Sequence, residues 1–74
     1  MEQIKFIKIS ELQDIKKLVN LASKIDGKIT ITKGHFNVNA KSVLGLLSLD
    51  LSNGVKITYP YNKDLDNFLQ SFEF

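Results

Sequence analysis

Ile29-Thr30-Ile31-Thr32-Lys33-Gly34-His35-Phe36-Asn37-Val38-Asn39-Ala40-Lys41-Ser42-Val43-Leu44-Gly45-Leu46-Leu47-Ser48-Leu49 is the stretch on which the fold turns. Residues 29–32 alternate apolar and hydroxyl side chains, and residues 36–40 alternate again. The connection Lys33-Gly34-His35 is short and contains glycine, so the two segments predict a β-hairpin. Ser42 then stands where a helix N-cap belongs, with a short helix expected through about Leu49.

Upstream, residues 3–9 read as a strand, with Ile4 and Phe6 on one side and Lys5 and Ile7 on the other. Ser10-Glu11-Leu12-Gln13 has the spacing of a capping box, in which Ser10 accepts from the N–H three residues on and Gln13 reaches back. Leu12, Ile15, Leu18, Val19, Ala22 and Ile25 recur at helical spacing, and Gly27 follows as a left-handed terminator. A helix over about 11–25 is expected. Downstream, residues 50–54 read as a loop, and Val55, Ile57 and Tyr59 alternate in a strand that Pro60 ends. Asn62 or Asp64 can start a last helix carrying Leu65, Phe68, Leu69 and Phe72 on one stripe. Phe72 and Phe74 cannot share one helical face, so the terminus either continues the helix or folds back against the domain.

The order β-α-β-β-α-β-α predicts an α+β class: a two-layer open-faced sandwich with a four-stranded antiparallel sheet and the helices on one face. The other face is expected to carry threonines, asparagines and lysines.

Composition bounds the rest. A chain of 74 residues predicts one domain over 1–74, since it can bury only about 60% of its unfolded surface. With no cysteine there is neither a disulfide nor a thiolate zinc site, and a core must come from the 43% hydrophobic residues. The start Met1-Glu2-Gln3-Ile4-Lys5 lacks the basic-then-apolar order of a signal peptide, and no run approaches the roughly 20 apolar residues of a membrane span. A cytoplasmic protein without membrane insertion is expected. The ten basic residues are all lysines, scattered from Lys5 to Lys63, and the net charge is only +2. Nucleic-acid binding needs basic residues gathered on one face, so no nucleic-acid partner is expected.

The segment Lys41-Ser42-Val43-Leu44-Gly45-Leu46-Leu47-Ser48-Leu49, continuing through Asp50 to Tyr59, resembles the HPr family, the histidine phosphocarriers of the bacterial sugar phosphotransferase system. Ala22-Ser23-Lys24 also looks like the end of that family's first helix, and the resemblance covers about residues 18–60. It implies the fold derived above. It also implies a phosphate-accepting histidine at the start of the first helix, with a nearby arginine, in a Gly-Ile/Leu-His-Ala-Arg-Pro signature. The chain departs there. In the ungapped register the histidine position falls on Glu11 and the arginine position on Gln13. A carboxylate in a first helical turn is favoured by the helix dipole, by about 0.3–1 kcal/mol, but repels an incoming phosphate. The single histidine, His35, lies in the hairpin turn, with no cysteine or second histidine to complete a metal site. No metal, cofactor or catalytic residue is expected, and the protein is not read as an enzyme.

Ser42 matches the serine that HPr kinase/phosphorylase modifies in Gram-positive relatives; the plainer reading is an N-cap, worth about 1 kcal/mol. Lys41 beside it is a candidate partner for a phosphate. Val43, Leu44 and Leu47 match positions where the family docks its partners, and they cannot all turn inward with Leu46 and Leu49 on so short a helix. The expected function is a docking or regulatory module without phosphocarrier activity, switched at Ser42, with HPr kinase/phosphorylase or a transcriptional regulator as partner. The alternatives are a phosphocarrier of the phosphotransferase system and an interaction domain without phosphate chemistry.

Overall fold

Strand alternation sorts the side chains of this protein onto two faces of one sheet, and the helices cover one of them. The computed structural model describes residues 2–74. Its elements run β1 (Glu2–Ile7), α1 (Leu12–Ser23), β2 (Thr30–Lys33), β3 (Phe36–Asn39), α2 (Val43–Ser48), a 3-10 turn (Leu51–Asn53), β4 (Val55–Pro60) and α3 (Lys63–Gln70). The strands form one antiparallel sheet in the order β1-β4-β2-β3. This is the expected two-layer α+β sandwich.

The hairpin forms with Lys33 paired to Phe36, leaving Gly34 and His35 as a two-residue turn. Gly34 sits at φ +60, the first central position of a turn whose twist matches the flanking strands. The covered sheet face presents Ile7, Ile31, Val55, Ile57 and Tyr59 to Ile15, Leu18, Val19 and Ala22 of α1, Leu46 of α2, and Leu65 and Leu69 of α3. All of these are buried.

Several sequence expectations shift. β1 ends at Ile7 rather than Ile9: beyond it Lys8 N–H donates to Phe72 O and Ile9 N–H to Leu51 O, so the chain has left the ladder with β4. Leu12, placed in the core stripe, is 49% exposed, because the first residue of α1 overhangs the layer beneath it. The capping box does not form. Glu11, not Ser10, is the N-cap, and no side chain caps the helix there. At the other end α1 stops at Ser23, and Gly27 (φ +105) turns the chain toward β2 rather than terminating the helix. The open face carries Thr30, Thr32, Thr58, Asn37, Asn39 and Lys56 as expected, but Ile4 and Phe6 as well.

α3 starts at the Asn62 cap, whose Oδ1 accepts from Leu65 N–H at 3.1 Å. The C-terminus takes the second of its two alternatives. Phe72 packs on Phe68 with ring centroids 5.0 Å apart, Glu73 bridges Ile7, and Phe74 folds back beneath Lys8 and against Gly54.

Candidate functional site

The start of α1 is acidic. Glu11 holds an extended N-cap conformation (φ −107, ψ 134), and its backbone carbonyl accepts from Asp14 N–H and Ile15 N–H. Its carboxylate accepts from Gln13 Nε2 at 3.2 Å, and Asp14 adds a second acid in the first turn. An anion approaching these helix N–H groups meets two carboxylates and an amide. Nothing in that turn can act as a nitrogen nucleophile toward phosphorus.

His35 is exposed in the β2–β3 turn. It shares an open cavity of about 470 Å³ with Lys33, Phe36, Ser48, Leu49 and Asp50. A separate open cleft of about 430 Å³ lies beside α1, lined by Ile9, Ser10 and Ile15 with the segment from Leu47 to Ser52. Ser48, Leu49 and Asp50 line both, so they stand between His35 and the start of α1. Asp50 is tied down within that segment, accepting from Ser52 N–H, Ser52 Oγ and Asn53 Nδ2. The Ser52 hydroxyl holds the Asp50 carboxyl below the usual carboxylate range.

α2 is built as its sequence suggests. Ser42 is the N-cap, exposed, and its Oγ accepts from Gly45 N–H at 3.1 Å while its carbonyl accepts from Leu46 N–H. Accepting through a lone pair leaves the hydroxyl proton free to point outward. Lys41 departs from expectation: its Nζ donates to Ile25 O at 2.7 Å. The ammonium satisfies a carbonyl in the α1–β2 connection instead of standing free beside Ser42.

The three candidate docking residues separate. Leu44 is 81% exposed and Leu47 49%, whereas Val43 is half-buried and packs against the core. Leu46, one residue from Leu47, is fully buried. Exposed Leu12 on α1 is an apolar residue that the helical stripe had assigned inward; its place in the first turn was the one signal that it lacks neighbours.

Comparison with known proteins gives the architecture a class. The fold superposes on HPr-C-His from Thermoanaerobacter tengcongensis with a TM-score of 0.76 and 29% identity, covering 96% of this chain and 92% of that one. It superposes on the phosphocarrier protein HPr from Bacillus anthracis str. Ames with a TM-score of 0.74 and 20% identity, covering 99% and 96%, a likeness of fold alone. Residues 12–62 match the family described as PTS HPr component phosphorylation site. The chain belongs to the HPr family.

The phosphocarrier protein NPr of Shewanella violacea (strain JCM 10179 / CIP 106290 / LMG 19151 / DSS12) is 50% identical over 42 residues, 57% of this chain. The matched part is 46% of that relative, so the chain spans about half the length of the curated protein it matches. The family match includes Ser42 and begins one residue after Glu11.

Proposed function

We propose that this HPr-family protein, folded as one unit over its whole chain, is a docking module that does not carry phosphate on histidine and is switched by phosphorylation of Ser42. The observation that carries the first half is Glu11 at the N-cap of α1, in the register where the family's phosphate acceptor is expected. The single histidine is on a different element, beyond the segment from Ser48 to Asp50. Support for the switch comes from Ser42 itself, an exposed N-cap hydroxyl inside the family match. A kinase would transfer the γ-phosphoryl group of ATP to Ser42 Oγ, releasing ADP and the hydroxyl proton. The new charge would sit at the start of the helix on which exposed Leu44 and Leu47 offer apolar area to a partner such as HPr kinase/phosphorylase or a transcriptional regulator. Val43 contributes its exposed part.

The second reading is a phosphocarrier, favoured by what the NPr relative is called. One assay separates them. The protein is incubated with Enzyme I and phosphoenolpyruvate, and in parallel with HPr kinase and ATP, and the products are weighed by mass spectrometry. Acid-stable phosphate on Ser42 in the second mixture alone supports the switch; acid-labile phosphate in the first overturns the loss of carrier chemistry.

A further inference from the structure

Asn53-Gly54 is the one place in the chain where an asparagine precedes a glycine; the other five asparagines precede leucine, valine, alanine, lysine or phenylalanine. A glycine there has no Cβ to shield its backbone nitrogen, so that nitrogen can reach the carboxamide carbon of the residue before it. Asn53 is exposed at the end of the 3-10 turn, and with Gly54 it lines an open cavity of about 280 Å³ that admits water. Gly54 N–H makes only a long bond, 3.4 Å, to Leu51 O, so the nitrogen gives up little on turning away. Two contacts hold the reacting groups in place. Asn53 Nδ2 donates to Asp50 Oδ2 at 2.7 Å, which fixes the carboxamide, and the Phe74 ring lies against Gly54 where a Cβ would stand.

We propose that Asn53 is a self-modifying site, a carboxamide that the Gly54 nitrogen and water convert to a carboxylate at a rate set by Asp50 and Phe74. The Gly54 nitrogen loses its proton to solvent and forms a bond to Asn53 Cγ. The Cγ–Nδ2 bond breaks, and Nδ2 leaves as ammonia with a proton taken from solvent. Water then opens the cyclic imide. Addition at Cγ gives aspartate, and addition at the backbone carbonyl gives isoaspartate, in which the main chain runs through the former side chain. Nothing is oxidised or reduced.

Aspartate puts a second carboxylate where a donor faced Asp50, and like charges within hydrogen-bond range repel. Asp50 also accepts from Ser52 N–H and Oγ, so its displacement carries to Asp50, Leu51 and Ser52, which line the cleft beside α1. Isoaspartate goes further, adding a methylene to the main chain directly before Gly54, which φ +97 and the Phe74 ring hold in one place. The modification thus alters one wall of that cleft with time. It needs no kinase and does not rest on the Ser42 reading.

The test is incubation of the full chain in mildly alkaline buffer beside Phe74→Ala, Asp50→Ser and a synthetic Leu-Ser-Asn-Gly-Val peptide, with mass spectrometry of the proteolytic fragments. Conversion adds about 1 Da and is expected at Asn53 before any other asparagine. Asp26-Gly27 can form the same imide but gains no mass, so it does not enter the count. The folded parent reacts more slowly than the peptide, and each variant speeds up by about threefold or more, since each frees one of the two held groups. Circular dichroism checks that the variants fold; Asp50→Ser keeps a capping oxygen for Ser52 N–H and serves if Phe74→Ala does not fold. In NMR spectra Asn53→Asp shifts the Leu51 and Ser52 amides and leaves those of β3 in place. No mass gain in the parent over many half-lives of the peptide, earlier conversion at another asparagine, equal rates in the parent and the folded variants, or unmoved Leu51 and Ser52 amides overturns the proposal.

Discussion

Phe74 fills the space that Gly54 leaves by having no side chain: a Cβ at Gly54 would stand 2.8 Å from Phe74 Cζ. Gly54 also holds φ +97, a conformation that residues with a Cβ rarely adopt. The turn into β4 and the returning C-terminus are thus fitted to each other, and together they place Glu73 within reach of Lys5.

Gly54→Ala is expected to destabilise the protein by about 1–3 kcal/mol, through backbone strain and the clash combined. Adding Phe74→Ala removes the clash but not the strain, so the double variant should recover part of the loss, and urea denaturation measures both steps. Equal stability of the single and double variants would assign the whole cost to the backbone.

Tyr59 is fully buried, and its hydroxyl donates to Asp66 Oδ1 at 2.6 Å. Burial first, and the Asp66 carboxylate next, push its pKa well above the ordinary 10.0. Lys5 is raised from 10.5 chiefly by its hydrogen bond to Glu73. Both groups keep their protons longer folded than unfolded, so the stability they contribute is present below about pH 10 and is lost as pH rises beyond it. Tyr59→Phe should cost about 1–2 kcal/mol at pH 7 and make the decline above pH 10 shallower, by chemical denaturation at a series of pH values.

Ser42→Ala removes the acceptor for Gly45 N–H and should cost about 1 kcal/mol. Ser42→Asp keeps a capping oxygen, so circular dichroism should be unchanged while capture of a docking partner changes. An unfolded Ser42→Asp variant would show the position too tightly packed to serve a kinase.

The helical stripes of α1 and α3 and the hairpin around Gly34 were legible in the sequence because their periods are local, set by residues three, four or two positions apart. So was Ser42, whose capping bond spans three residues. What the sequence hid is non-local. Lys5 shares the inner face with Ile7, and only the arrival of Glu73 and Asp66 from the far end of the chain makes that place tenable for a charge. Lys41 looked like a neighbour for a phosphate until folding brought the Ile25 carbonyl to it. Ser10 and Gln13 had capping-box spacing, yet the helix began one residue later, and the Gln13 side chain turned to Glu11.

Leu44 and Leu46 separate docking from packing within one turn of α2. Leu46 is fully buried and Leu44 is 81% exposed, though their side chains are identical and nearly adjacent. Leu46→Ala should therefore cost about 2–5 kcal/mol, the usual range for a cavity in a core. Leu44→Gln should stay within about 0.5 kcal/mol of the parent, since it removes few contacts. If α2 presents a partner surface, Leu44→Gln and Leu47→Gln lower partner capture at unchanged thermal stability. If Leu44→Gln instead destabilises the fold as Leu46→Ala does, α2 packs through both residues and the docking role of its outer face falls.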